Sequence, residues 1–182
     1  MSDKQNEAGS EIQELAGLIR SIPDFPKKGI DFKDITTLLQ NSDAFRLVVD
    51  HLANRYADKS VDAVVAAEAR GFIFGGALAY RLETGFVPVR KKGKLPYKTY
   101  EMTYDLEYGT ETIAIHQDAL NPGDKVIVLD DLLATGGTVA AVLGLLERLG
   151  ADVLEVAFLI ELAFLKGRDQ LKSYPVYSAI KL

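Results

Sequence analysis

Residues 125–150 read KVIVLDDLLATGGTVAAVLGLLERLG. A continuous apolar run meets two adjacent carboxylates, then a bare loop edged by hydroxyls, then apolar positions at helical spacing. An apolar run of this kind, with no polar alternation, fits a strand buried on both faces, as in parallel sheets covered by helices. The rest of the chain repeats the alternation. SDAFRLVVDHLANRYA reads as a helix N-capped by Ser42, with Phe45, Val48, Val49, Leu52 and Tyr56 on one face. VDAVVAA reads as a buried strand, FIFGGALAYRLE as a helix rich in small residues, and FVPVR and ETIAIH as further strands. TVAAVLGLLERLG is a helix stopped at Gly150, and VLEVAFLIEL closes another strand–helix–strand unit. Near the start, EIQELAGLIRSI carries Ile12, Leu15, Ala16 and Ile19 at helical spacing, and FPKKGIDFKDIT follows as a loop punctuated by Pro26 and Gly29. Strands separated by helices predict an α/β fold, a mainly parallel sheet flanked by helices on both faces. At 182 residues the chain fits one domain, 1–182, with the polar residues 1–10 as a flexible N-terminal tail.

Composition narrows the function by exclusion. The absence of cysteine removes disulfides and thiolate zinc sites and favours a cytoplasmic address. MSDKQNEAGSEIQELAG is too polar and acidic for a signal peptide, and no apolar run approaches the roughly 18 residues of a membrane span. A net charge of −5 argues against nucleic acid as a partner. An anionic substrate must then be held by local cations and backbone amides. His51 and His116 have no metal-spaced partners and receive no role, and no side-chain metal site is read.

In parallel sheets, ligands bind beyond the carboxyl ends of the strands. Two loops leave strands there: EARGF (68–72) and DDLLATGGT (130–138). Within the second, Ala134, Thr135, Gly136, Gly137 and Thr138 form a turn into a helix. The glycines expose backbone N–H groups in a concave nest, and the helix start adds unsatisfied amides and a positive dipole end. Thr135 and Thr138 add hydroxyl donors. The Gly-Lys-Ser/Thr ending of a nucleotide P-loop is missing, as is G-x-G-x-x-G. A phosphate monoester suits the nest, and Asp130 and Asp131 suit the hydroxyls of a ribose attached to it. The alternative is an acidic strand end with an ordinary Gly-Gly loop and a Thr cap.

VIVLDDLLATGGT resembles the phosphoribosyl-pyrophosphate signature of the type I phosphoribosyltransferases. FPKKGIDFKDIT, EARGFIFG and VPVRKKGKLPYKTYEMTYDLEYGTETIAIH narrow the resemblance to the branch that uses adenine, from about Ile12 to the C-terminus. Asp31 stands where an apolar residue is common in that family. The resemblance implies transfer of ribose 5-phosphate from 5-phosphoribosyl 1-pyrophosphate to adenine, with Mg2+ held mainly through substrate phosphates and ribose hydroxyls. Breaking the bond to pyrophosphate builds positive charge on the sugar, and the leaving group must be neutralised. Glu68, Asp130 and Asp131 are candidates to reach magnesium through its water shell. Arg70 is the candidate for pyrophosphate, with its fork of donors; its other reading is a surface ion pair.

RKKGKLPYKTYEMTYDLEYGTE holds five basic residues, four tyrosines and glycines at both ends. Its apolar positions fit a helix and a strand equally, so periodicity leaves the two open. A long charged segment between strands has the makings of a lid, the alternative being a solvated hairpin with Glu107 facing outward. The resemblance makes it the catalytic loop, with Lys94 on pyrophosphate, Glu107 beside the purine, and Tyr108 as a sugar or lid contact. GIDFKDI offers Phe32 as a stacking face for the base, plain core packing being the alternative, and the resemblance adds backbone groups around Phe32 and Lys33 that read the purine edge. It implies a homodimer, and the small residues of FIFGGALAY, which could pack closely against a partner as well as against the sheet, put helix 72–82 near the expected interface. Xanthine or hypoxanthine–guanine transfer, and a non-catalytic regulator that keeps only the phosphoribosyl-pyrophosphate loop, stand as alternatives.

Overall fold

The computed structural model describes residues 11–106 and 109–182. Its main sheet has seven strands: β3 (Ala63–Ala67), β4 (Gly85–Lys91), β5 (Thr99–Leu106), β6 (Gly109–His116), β7 (Lys125–Leu133), β8 (Asp152–Glu161) and β9 (Val176–Lys181). They lie in the order β5-β6-β4-β3-β7-β8-β9. From β4 to β9 the neighbours are parallel, whereas β6 pairs antiparallel with both β4 and β5. A separate antiparallel pair joins β1 (Arg20–Pro23) to β2 (Asp31–Asp34), with Ile22 opposite Phe32 and Ser21 opposite Lys33. Helices are α1 (Thr36–Gln40), α2 (Ser42–Tyr56), α3 (Gly71–Arg81) and α4 (Gly137–Leu149).

Successive strand residues point to opposite faces, so each central strand feeds two cores. Val64, Ile127, Leu129 and Leu159 pack with Val48 and Leu52 of α2 and Phe74 and Leu78 of α3. Val65, Val126, Val128 and Phe158 pack with Val142, Leu145 and Leu146 of α4. With roughly 1.5–3 kcal/mol for each large apolar side chain fully buried, both faces need cover, and helices supply it on each. The small residues of α3 permit close packing. A Cβ on Gly75 would lie 2.8 Å from Ala66 Cβ, and one on Gly71 would lie 2.9 Å from Asp130 Oδ1.

Several local expectations shift. Helix α2 is capped by Asn41, whose side chain accepts from the amides of Asp43 and Ala44 at 3.1 and 3.0 Å, while Ser42 is its first residue. The first amphipathic segment is helical over 11–14 and ends in a 3-10 turn, Leu15–Leu18. Arg20–Pro23 is instead recruited as a strand by β2, and Pro23 has no N–H to continue a helix. The charged segment after β4 resolves as strand β5, paired with β6 from Thr99 opposite His116 to Leu106 opposite Gly109.

Candidate active site

The topology locates a crevice before any side chain is considered. From β3 the chain passes through α3 to β4 on one side; from β7 it passes through α4 to β8 on the other. Strand order therefore reverses between β3 and β7, where a crevice opens at the strand carboxyl ends. The loops after β3 and β7, which carry EARGF and the end of DDLLATGGT, both emerge there.

The second loop turns into α4 through Gly136, at φ +87°. No side chain caps α4, so its first amides are left for water or a ligand. The loop surrounds a cavity of about 70 Å³ lined by Asp130, Thr135, Gly136, Gly137 and Thr138 among others. That is far below the roughly 300–1,000 Å³ of a drug-sized ligand site, so it suits one small group such as a phosphate. A second cavity of about 500 Å³ separates the loop from β5, with Tyr104, Asp105, Thr135, Gly137 and Gln170 in its wall. Beside it, Thr138 Oγ1 donates to the Tyr104 hydroxyl at 3.1 Å.

Asp130 and Asp131 close the strand end. Burial raises the Asp130 carboxyl well above the usual carboxylate range, and the charge of Asp131 adds to it. Burial also raises Asp131, opposed by the Arg70 guanidinium. Arg70 Nε lies 2.9 Å from Asp131 Oδ2, yet that oxygen has no aligned hydrogen-bond donor among the described residues. The pair is ionic, and both groups keep hydrogen-bonding capacity for a ligand. Asp130 Oδ1 accepts from the Asp131 amide at 2.9 Å.

The Arg70 guanidinium also sits 5.1 Å from the Phe32 ring centroid, joining the acids to β2. Phe25 meets Phe32 edge-on at 5.2 Å. Lys33 Nζ is occupied by Asp31 and Ser21, both at 2.7 Å, so Asp31, unusual by resemblance, serves here as the partner of Lys33. The Lys33 hydrogen bond holds the Asp31 carboxyl below its ordinary range. Of the residues named from sequence, Phe32, Arg70, Asp130 and Asp131 thus form one connected cluster beside the nest of Ala134–Thr138. Lys94 is exposed, and its ammonium has no ion-pair partner among the described residues. Glu107 and Tyr108 lie outside the described residues.

Glu68, a candidate for the magnesium water shell, is engaged by Arg90. Arg90 Nε donates to Glu68 Oε2 at 2.7 Å, and another Arg90 nitrogen donates to the Lys94 carbonyl at 3.1 Å. Glu68 thereby ties the loop after β3 to the start of the basic segment. Arg90 was not singled out in sequence, because in VPVRKKGK nothing separates it from its basic neighbours. Gly167 was missed as well. A Cβ there would overlap the Ala134 carbonyl oxygen and lie 2.8 Å from Leu133 Cδ1. A lone glycine in FLKGRDQ gives no signal of that contact. His51 bonds the Tyr177 hydroxyl between α2 and β9, away from the cluster. Among the described residues, no three imidazole or carboxylate groups converge as a metal cage.

Comparison with known proteins agrees with this architecture. The phosphoribosyl transferase domain family matches residues 34–180. The adenine phosphoribosyltransferase of Syntrophotalea carbinolica is 59% identical over 170 residues, covering 93% of this chain and 99% of that protein. The crystal structure of adenine phosphoribosyltransferase from Thermoanaerobacter pseudethanolicus superposes with TM-score 0.91 at 51% identity, over 94% of this chain and 99% of that one. The Saccharomyces cerevisiae adenine phosphoribosyltransferase, solved with D-2,5-dideoxy-2,5-imino-altritol 1,6-bisphosphate and adenine, gives TM-score 0.88 at 42% identity, over 93% and 98% of the two chains.

Proposed function

The chain belongs to the phosphoribosyl transferase family, in its adenine phosphoribosyltransferase branch, and from that premise we propose how its residues divide the reaction. Ribose 5-phosphate moves from 5-phosphoribosyl 1-pyrophosphate to adenine, giving AMP and pyrophosphate. The observation that carries the assignment of parts is the uncapped start of α4 beside half-buried Asp130 and buried Asp131, at the point where strand order reverses. The nest of Ala134, Thr135, Gly136, Gly137 and Thr138 takes the 5-phosphate through amides and hydroxyls. Asp130 and Asp131 accept the ribose hydroxyls. Phe32 packs on the purine. Alternate residues of β2 face β1 and its other edge, so one residue of the Phe32–Lys33 pair has its N–H and C=O free to meet the donor and acceptor of adenine.

Magnesium, general in the family, fits the acids present. Mg2+ binds through one or two carboxylates and substrate oxygens, and Asp131 Oδ2 has no aligned donor to compete for it. When bound, it neutralises charge on the departing pyrophosphate. Lys94 and Arg70 supply the cations that meet the same charge from the protein, and Glu107 handles the purine proton or holds the base.

The whole chain, 1–182, reads as one catalytic unit, and its cysteine-free composition supports a cytoplasmic address. A homodimer is supported by α3, which turns Ile73 and Tyr80, 38% and 82% exposed, outward on one helical stripe with the open Gly76 between them. Sedimentation showing a monomer at micromolar concentration overturns that part. The substrate is tested by offering adenine, hypoxanthine, guanine and xanthine with 5-phosphoribosyl 1-pyrophosphate and magnesium. Turnover with adenine alone is expected; the relatives do not favour a 6-oxopurine transferase or a non-catalytic regulator, and preference for a 6-oxopurine overturns the base reading.

A further inference from the structure

The phosphate nest is braced from outside by the segment between β8 and β9. That segment holds two 3-10 turns, Ala163–Leu165 and Gly167–Leu171, with Lys166 between them at φ +54°. Gly167 touches the nest at two points. A Cβ on it would overlap the Ala134 carbonyl oxygen, and its own carbonyl oxygen would lie 2.6 Å from a Cβ on Gly136. Gln170 is on the same side, its Cβ 3.4 Å from that position. The two backbones meet at a separation only glycines allow, and the contact fixes the left-handed turn that aims the α4 amides.

The next residue anchors the brace. Arg168 donates from Nε and a terminal nitrogen to the two carboxylate oxygens of Glu161, both at 2.7 Å, and from its other terminal nitrogen to the Val176 carbonyl at 2.8 Å. Glu161 is buried at the end of β8, and Val176 opens β9. A planar bidentate pair of this kind fixes direction as well as distance. Gly167 is thus held against the nest by the ends of two sheet strands.

We propose that Gly167 is a positioning residue for sugar-phosphate binding and that the Arg168–Glu161 pair holds it in register. The inference rests on the reading of Ala134–Thr138 as the 5-phosphate site. A side chain at 167 pushes Ala134 and Gly136 outward and misaims the amides, so affinity for the phosphate falls while chemistry on bound substrate is largely kept. The loss of one well-aligned hydrogen bond to a charged group is worth about ten- to a hundredfold in affinity.

The test compares Gly167→Ala, Arg168→Ala, Arg168→Lys and Thr135→Val with the unaltered protein, each checked for fold by circular dichroism and melting temperature. Ribose 5-phosphate and adenine binding are measured by calorimetry, and KM and kcat with 5-phosphoribosyl 1-pyrophosphate. Gly167→Ala is expected to raise KM for the activated ribose and weaken ribose 5-phosphate by about tenfold or more, with kcat changed by less than about threefold and adenine binding unmoved. Arg168→Ala shows a smaller effect of the same kind, partly rescued in Arg168→Lys. If Gly167→Ala does not fold, the Arg168 variants decide. Normal ribose 5-phosphate affinity in folded Gly167→Ala, or in both Arg168 variants, overturns the brace. If Thr135→Val is normal too, the phosphate site itself is misplaced; if Thr135→Val alone is weakened, only the brace falls.

Discussion

The Tyr104 hydroxyl, on strand β5, accepts a hydrogen bond from Thr138 Oγ1 at 3.1 Å, at the start of α4. The basic, tyrosine-rich hairpin is therefore fastened to the hydroxyl that the proposed function gives to phosphate. Burial raises the Tyr104 hydroxyl above its ordinary range, so it stays protonated at neutral pH. A neutral hydroxyl can accept from Thr138 and still donate onward to an arriving phosphate oxygen. Tyr104→Phe is expected to loosen β5 by about 0.5–1.5 kcal/mol, the net worth of one hydrogen bond. Faster amide exchange along β5, with the α4 amides little changed, is the readout; unaltered exchange in β5 means the bond does not hold the hairpin.

The two glycines of the nest are not equivalent. Gly136 has φ +87° and no room for a Cβ, whereas a Cβ on Gly137 meets Asp105 O at 3.5 Å and Tyr104 Cδ2 at 3.6 Å, ordinary contact distances. Gly136→Ala is expected to cost more than about 1 kcal/mol in stability, through strain and overlap together, and to raise KM for the activated ribose. Gly137→Ala is expected to fold normally and leave β5 in place. Equal melting temperatures for the two variants contradict this ordering.

Asp130 carries a stability cost that its proposed contact with the ribose hydroxyls accounts for. Its folded carboxyl is raised by burial and then by Asp131. Such a group binds more protons folded than unfolded, so stability falls as pH rises from the unfolded value, about 3.9, through the higher folded one. Asp130→Asn removes that loss and keeps an oxygen for the Asp131 amide. It is expected to melt higher than the unaltered protein at pH 7, by about 2–4 °C for each kcal/mol relieved, with the gain vanishing near pH 3, and to bind ribose 5-phosphate worse. A lower melting temperature at pH 7 refutes it.

Glu155 carries the opposite sign. Burial alone would raise it, but hydrogen bonds from Arg55, at 2.6 and 2.7 Å, and Tyr56, at 2.7 Å, hold it below its ordinary range. Its contribution is complete above the unfolded value, about 4.3, and is lost as pH falls through the lower folded one. Breaking a buried pair costs about 3–5 kcal/mol; Arg55 is 36% exposed, so Glu155→Gln belongs at or below the low end. Denaturant unfolding at pH 7 and pH 3 checks this: the variant should lose stability at pH 7 and approach the unaltered protein at pH 3.

What the sequence made legible follows how local each signal is. The strand–nest–helix of 125–150 was readable because apolar run, acids, glycines and helix stand in one stretch. The same held for the parallel sheet, which alternation of elements dictates. Features made by contact between distant segments were not readable. Strand β1 exists because β2 pairs with it, and β9, VYSAIK, is short and adds to the far edge of the sheet. Helix and strand periods coincided in TYEMTYDL until β6 supplied a partner. Gly167 meets Ala134 across 33 residues of chain, the difference between their numbers, and no local pattern announces that approach. Arg70 was legible as a candidate cation in the EARGF loop, but its place between Asp131 and the Phe32 ring depends on how β2 sits against the sheet.

In the proposed function, Glu107 and Lys94 divide chemistry from binding. Lys94 follows the turn closed by its own amide on the Lys91 carbonyl, and its carbonyl is held by Arg90, which Glu68 holds in turn. Its charge is thus presented from a fixed backbone. If Lys94 meets pyrophosphate as proposed, Lys94→Ala is expected to raise KM for the activated ribose, since such a cation contributes to ground-state and transition-state binding alike. Glu107→Gln keeps size and hydrogen-bonding capacity but loses the proton-accepting charge. If Glu107 takes the purine proton as N9 attacks, kcat should fall by about 10²–10⁴-fold while affinity for the activated ribose stays near normal. Single-turnover measurements isolate the chemical step from product release. A Glu107→Gln protein whose single-turnover rate is near normal would leave that carboxyl as a hydrogen-bonding partner of the base, with the proton passing to water.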